Sequence, residues 1–188
     1  MGGGSITGNS LKQSEIIQFR RMASLSNDII LKIHNHFSKF SVMKRDDGLI
    51  DYEEFCTLIN RKENILIFKL FNCMDLNKDK KINFREFLTF ISKFISGTKE
   101  EQIRITYKIF TDEEKNLITF ESLFKIMKEI FQNIKDLEDF FDDYSLTNLI
   151  KETFQIVQSQ EINYDEYKLI IEKNPSILYW FKINVNNL

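Results

Sequence analysis

The sequence predicts an all-α protein built from four helix–loop–helix units that are arranged as two pairs. Three observations support this prediction. Apolar residues recur at helical spacing from Leu11 onward. A short motif that begins with isoleucine and a polar residue occurs four times along the chain. The 188 residues include one proline and six glycines, too few for an all-β protein with many turns.

The predicted helices lie on both sides of Ser96-Gly97-Thr98, which interrupts the apolar pattern and is interpreted as a linker between two lobes. The apolar spacing predicts helices over 27–40, 52–59, 65–74, 84–95, 100–110, 120–131, 146–157 and 164–172. The chain is accordingly divided into an N-terminal segment and helix (1–26), an N-lobe (27–95), a C-lobe (100–172) and a C-terminal segment (173–188).

The repeated motif places one isoleucine in each polar loop, just before the second helix of the unit. The four are Ile50, Ile82, Ile118 and Ile162, and the sequence after Ile118 is the least similar copy. Solenoid repeats have a similar period but do not carry acidic loops in this register. We therefore expect short two-stranded pairings between loops at these isoleucines.

The loop of the second unit has the oxygen ligands that calcium needs. An ion-binding loop of about 12 residues supplies ligands at positions 1, 3, 5, 7, 9 and 12. In that order the candidates are Asp75, Asn77, Asp79, Lys81 through its carbonyl, Asn83 and Glu86. Position 6 is Lys80 instead of glycine, and a lysine at positive φ costs roughly 1 kcal/mol. We expect binding weakened to roughly 10⁻⁶–10⁻⁵ M; the alternative is an acidic surface loop without a metal.

The loop of the first unit permits two interpretations. A 12-residue frame that ends at Glu54 puts Met43 and Arg45 at ligand positions, which predicts no binding. A 14-residue frame, from Ser41 through Glu54, follows directly from the entering helix. In that expanded loop, backbone carbonyls replace missing side-chain oxygens. Glu54 and either Asp46 or Asp47 supply negative charge. The candidate ligands are Ser41, Lys44, Asp46, Leu49 and Glu54.

The third and fourth loops are predicted to bind no calcium. Loop 3 has Thr111 in place of the opening aspartate and Ser122 in place of the closing glutamate. Loop 4 has nine residues, from Gln158 to Glu166, too few to surround the ion. It is interpreted as a structural partner of loop 3. One or two Ca²⁺ ions are therefore expected, in the N-lobe alone.

The repeats resemble EF-hands of the calmodulin and recoverin type. The segment Ser41-Val-Met-Lys-Arg-Asp-Asp-Gly-Leu-Ile-Asp-Tyr-Glu-Glu-Phe resembles the 14-residue first loop of the calcineurin B-like calcium sensors. Asn174-Pro-Ser-Ile-Leu resembles the start of their C-terminal helix. The broader group includes calcineurin B and the neuronal calcium sensors. The chain departs from the family in its third and fourth loops and in lacking the Phe-Pro-Ser-Phe tail.

The resemblance implies a calcium sensor that regulates a target protein, with a serine/threonine kinase as first choice. The alternatives are a regulatory B-type subunit of a calcineurin-like phosphatase and a calcium-insensitive structural light chain. A groove for a target helix would use Phe87, Phe90, Phe94 and Trp180, although most of the eighteen phenylalanines must form the core. No arrangement of a nucleophile and a base predicts an enzyme.

The composition and the first residues of the chain give expectations about its partners and its location in the cell. The net charge of −2 argues against nucleic-acid binding, and two cysteines inside apolar stretches fit a reducing compartment. Gly2 resembles an N-myristoylation site, although Ile6 stands where the motif has a hydroxyl. The alternative is a glycine-rich leader without this role. We expect a cytoplasmic protein, with reversible membrane contact if Gly2 is acylated.

Overall fold

The computed structural model describes residues 11–23, 25–43, 47–132 and 142–175. Within them the helices are α1 Gln13–Ala23, α2 Asn27–Ser41, α3 Tyr52–Leu58, α4 Ile65–Met74, α5 Phe84–Ser96, α6 Lys99–Phe110, α7 Phe120–Gln132, α8 Asp143–Val157 and α9 Tyr164–Lys173. The strands are β1 Leu49–Ile50, β2 Ile82–Asn83, β3 Ile118–Thr119 and β4 Glu161–Ile162. The predicted all-α class is confirmed.

Capping residues determine where several helices begin. Helices α3, α5, α6 and α9 each start with a capping box, in which the side chain before the helix and a glutamate in its first turn bond each other's backbone N–H. Helix α8 starts three residues earlier than predicted, because Asp142 accepts a hydrogen bond from the Ser145 backbone and extends the helix.

The loop isoleucines pair as the sequence predicts. Strands β1 and β2 are antiparallel with Ile50 opposite Ile82, and strands β3 and β4 are antiparallel with Ile118 opposite Ile162. All four side chains are at most 1% exposed. Each pairing therefore fixes two neighbouring loops side by side and buries an apolar contact between them.

The core is built largely from aromatic side chains. In the N-terminal half, Phe37 of α2 packs against Phe84 and Phe87 of α5, with ring centroids 5.5 and 5.4 Å apart. In the C-terminal half, Tyr167 packs against Phe110. The buried residues of both halves form one continuous cluster. The division into two separate lobes thus stays a prediction, although the pairing of loops within each half is confirmed.

Lys69 connects the two halves. Its Nζ lies 2.9 Å from the carbonyl oxygen of Thr111 and 3.0 Å from Oε1 of Glu113. The lysine is on α4, which leads into loop 2, and both partners are in loop 3. Its side chain is 10% exposed, so the charge is largely removed from water and depends on these two oxygens.

Helix α1 covers the outer side of the N-terminal half. Phe19 and Ala23 of α1 form a second buried cluster with Ile30 and Leu88. The hydroxyl of Ser92 donates a 2.6 Å hydrogen bond to the carbonyl oxygen of Ala23, which satisfies the last turn of α1. Among the described helices, none has the length and apolar character needed to cross a membrane.

Candidate metal centre

Loop 2 has the backbone shape of an ion-binding loop. Lys80, at position 6, has φ of 64°, so the predicted left-handed conformation is confirmed. Gly48 in loop 1 (φ 70°) and Asn116 in loop 3 (φ 55°) have the same conformation at the matching place before their isoleucines. The three loops therefore adopt the same turn. In loop 1 the residue at this position is glycine, which favours positive φ, whereas loops 2 and 3 have lysine and asparagine there.

Asp75 opens loop 2 from the C-terminal end of α4. Its side chain is 3% exposed. Oδ1 accepts a hydrogen bond from the backbone N–H of Asp79 at 3.2 Å, and Oδ2 accepts one from that of Lys80 at 2.9 Å. These bonds hold the carboxylate inside the loop and also support the left-handed turn at Lys80.

Glu86 closes loop 2 from the first turn of α5, with 6% of its side chain exposed. Oε1 accepts hydrogen bonds from the backbone N–H groups of Leu76 (3.1 Å) and Asn77 (3.3 Å). Oε2 accepts one from Asn83 at 3.0 Å. The carboxylate therefore spans the loop and joins its beginning to the start of α5.

The donor set of loop 2 fits a hard divalent cation. Two buried carboxylates, on Asp75 and Glu86, face one loop, and within the described ranges no lysine or arginine forms an ion pair with either. A buried negative charge met by neutral N–H groups alone favours binding of a cation. No group of three His, Cys, Asp or Glu side chains among the described residues is placed to hold a metal ion, so a calcium site here would also need amide and carbonyl oxygens.

The remaining ligand candidates of loop 2 lie near its surface. The side-chain amide of Asn77 donates a 2.9 Å hydrogen bond to Oδ2 of Asp79. The loop's lysines bond elsewhere: Nζ of Lys78 reaches the carbonyl oxygen of Asn72 at 2.7 Å, and Nζ of Lys81 reaches Oδ2 of Asp47 at 2.7 Å. The side chain of Lys81 is thus directed to loop 1, which leaves its backbone carbonyl as its candidate ligand.

Replacing Lys80 by glycine is expected to increase the calcium affinity of loop 2 by roughly fivefold, because glycine adopts positive φ without strain. Lys80→Gln is the matched variant, since it removes the charge but keeps the Cβ. Isothermal titration of both variants separates the two effects. An affinity of Lys80→Gly equal to or below that of the native chain would contradict the strain argument.

Loop 1 is described in part. Ser41 is buried and its hydroxyl donates to the carbonyl oxygen of Ser38 at 3.3 Å. Glu54 is 6% exposed and Leu49 lies in β1, while the candidates Lys44 and Asp46 lie outside the described residues. Both interpretations of this loop therefore remain open.

Asp47 is the alternative to Asp46 as a source of negative charge in the expanded first loop, and it lies within the described residues. Besides binding Lys81, its Oδ1 accepts a 3.1 Å hydrogen bond from the backbone of Leu49. The hydrogen bond from the Lys81 ammonium, together with the backbone bond, lowers the pKa of this carboxyl. The pairing of β1 with β2 brings the two side chains together, and no local sequence signal indicates it.

Loops 3 and 4 hold their turns with other groups. Thr119 and Ser122 exchange backbone-to-hydroxyl hydrogen bonds of 3.0 and 3.1 Å, in the place where loop 2 has Asn83 and Glu86. The ammonium of Lys115, at position 5 of loop 3, bonds Glu161 of loop 4. A cationic side chain at a ligand position opposes the binding of a metal cation.

The described residues of the predicted groove face the core. Phe87, Phe90 and Phe94 are 3%, 5% and 8% exposed, and the rings of Phe90 and Phe94 stack at 5.5 Å. A groove that contains them would require α5 to move. The fourth groove residue, Trp180, and the acylation candidate, Gly2, lie outside the described residues.

Comparison with known proteins connects these loops to a protein group. No family model matches the chain. Calcineurin B of Naegleria gruberi is 24% identical over 132 residues, which are 69% of this chain and 73% of that protein. The chain is similar to calcineurin B-like EF-hand calcium sensors. The type 2 calcineurin B of Homo sapiens is 27% identical over 57% of this chain and 62% of its own length.

A calcium-binding relative is also found. The calcium-binding protein NCSA of Dictyostelium discoideum is 26% identical over 65% of this chain and 66% of its own length. The match to the human calcineurin B spans less than two thirds of that protein. These names describe regulatory and calcium-binding proteins rather than an enzyme. The calcineurin B-like similarity supports Ca²⁺ binding by the EF-hand fold described above.

Proposed function

We propose that the chain is a calcium-responsive regulatory protein that acts through a bound target protein. The observation that carries this proposal is the position of Glu86, which belongs to the candidate calcium loop and to α5 at once. Helix α5 also bears Phe87, Phe90 and Phe94. A ligand change at Glu86 can therefore alter the position of a helix with a large apolar face.

The coupling requires an exchange of partners at one carboxylate. In the structure, Oε1 of Glu86 accepts the N–H groups of Leu76 and Asn77. The carboxylate of Glu86 would hold a calcium ion in loop 2, and doing so would require it to give up part of these hydrogen bonds. The C-terminal half then keeps one conformation and serves as the constant part of the docking surface. In this proposal calcium binds in loop 2 and, if the expanded frame applies, in loop 1.

Two target classes have specific support. The expanded first loop resembles that of the kinase-regulating sensors, which favours a serine/threonine kinase. Several relatives are named calcineurin B, which favours the catalytic chain of a calcineurin-like phosphatase. A structural light chain would lack the calcium response that Glu86 is proposed to give.

A pull-down from the native organism, with calcium and with a chelator, tests the proposal. We expect the full chain to capture a kinase when calcium is present and not when the chelator is present. Capture of a phosphatase catalytic chain under both conditions would favour the calcineurin-like phosphatase as the target. Equal capture of the same target by the native chain and the Glu86→Gln variant in both conditions would contradict calcium-responsive regulation. A cytoplasmic location and acylation of Gly2 belong to the same proposal, and mass spectrometry of the N-terminal peptide tests the acylation.

A further inference from the structure

A cleft of about 420 Å³ opens between loop 2, helices α5 and α6, and the start of α9. Its size is within the range of small-molecule sites. Its apolar walls are formed by Met74, Leu76, Phe90, Ile105, Tyr107 and Tyr164. Of the described groove residues discussed above, Phe90 alone lines this cleft, so the cleft and the predicted helix groove overlap at that residue. The role proposed for Glu86 accounts for none of the other lining residues.

Leu76 forms an exposed apolar edge of the cleft. It is 60% exposed, the highest value for a large aliphatic side chain in the part of the chain that the structure describes. It occupies position 2 of loop 2, where the backbone contributes its N–H to Glu86 and the side chain is not needed as a ligand. An apolar side chain held at the mouth of an apolar cleft favours an apolar occupant.

Charged side chains of both signs line the cleft. Lys93, Arg104 and Lys108 are cationic, and Glu86 and Glu101 are acidic. Nζ of Lys93 is 3.9 Å from Glu101, and Arg104 is 3.0 Å from Glu100. Within the described ranges, Lys108 has no ion-pair partner within reach. Glutamates therefore partly neutralise Lys93 and Arg104, whereas the ammonium of Lys108 is available to an anionic ligand.

We propose that this cleft binds a small amphiphilic anion, with an apolar body against Met74, Leu76 and Phe90 and a carboxylate at Lys108. Charge complementarity selects the anionic head, and the apolar walls select the body. This proposal goes beyond the proposed function, with which the cleft shares Glu86 and Phe90.

Decanoate is a suitable probe, titrated into the full chain below its critical micelle concentration and followed by calorimetry and by backbone amide NMR. We expect saturable binding with one site at the cleft, and amide shifts at Thr89, Ile105 and Lys108. Lys108→Glu is expected to weaken binding by at least about fivefold, and Leu76→Ala by about threefold or more.

Matched controls change the same residue types away from the cleft. Lys151→Glu alters an exposed lysine of α8 and Leu169→Ala an exposed leucine of α9, and both should leave decanoate affinity unchanged. Decanol, which lacks the charge, should bind the native chain at least about fivefold more weakly. Equal affinity of all four variants, equal affinity for decanol, or no saturable binding would each overturn the proposal.

Discussion

Glu86→Gln is expected to remove calorimetric calcium binding at loop 2, with affinity there falling by at least about tenfold. The substitution removes one of the two buried negative charges that face the loop. Glutamine has one acceptor oxygen, so it can keep the backbone N–H groups of Leu76 and Asn77 but not also that of Asn83. The other half of the capping box, in which Oδ1 of Asn83 accepts the backbone N–H of residue 86, is unchanged. The helix should therefore form normally, so that the loss concerns the ion rather than the fold.

Glu166→Gln is the matched control for this prediction. Glu166 closes the same kind of capping box with Asn163 at the start of α9, but in loop 4. We expect unchanged calcium stoichiometry and affinity in this variant. Unchanged stoichiometry in Glu86→Gln would show that loop 2 is not the site, and equal losses in both variants would show that a general effect on folding had been measured.

Phe37→Ala is expected to lower the free energy of unfolding by about 3–5 kcal/mol, the usual cost of removing a buried phenylalanine side chain. Phe37 is 2% exposed and its ring contacts those of Phe84 and Phe87, which lie on both sides of Glu86 in sequence. The cavity would therefore open between the first and second helix–loop–helix units. Urea unfolding monitored by circular dichroism measures the change.

Phe68→Ala provides the comparison for this loss. Phe68 is 40% exposed on α4 and has an edge contact with the ring of Tyr52. Because much of its ring already contacts water, its removal should cost less than half as much as the removal of Phe37. Equal losses for the two variants would mean that the contact of α2 with α5 does not dominate stability.

Local patterns predicted most of the fold. Helix α4 begins and ends where its apolar spacing indicates, because Asn64 caps its first turn and the polar loop follows Met74. The pairing of Ile50 with Ile82 was also predictable, since the repeated motif marks equivalent positions in neighbouring units. The start of α8 was missed because an aspartate cap, rather than an apolar residue, determines it.

The contacts between distant loops were not predictable from the sequence. Lys69 occupies what looks like an ordinary polar position on an apolar helix, yet it is buried against Thr111 and Glu113 of loop 3. Such a contact depends on how two units pack, and a periodic pattern within one unit carries no information on it. In the candidate site, sequence spacing predicts the oxygen donors of loop 2, and these stay a prediction. It gives no indication of the backbone N–H groups that hold Asp75 and Glu86.

The 2.7 Å salt bridge between Nζ of Lys81 and Oδ2 of Asp47 couples the electrostatics of loops 1 and 2. One residue serves both: its carbonyl is a candidate ligand in loop 2, while its ammonium neutralises an acidic side chain of loop 1. A divalent cation approaching loop 1 must compete with a tethered monovalent one, and loop 2 has no such competitor. In a rising calcium pulse, loop 2 should therefore fill first, and titrations at two salt concentrations would reveal this order of loading.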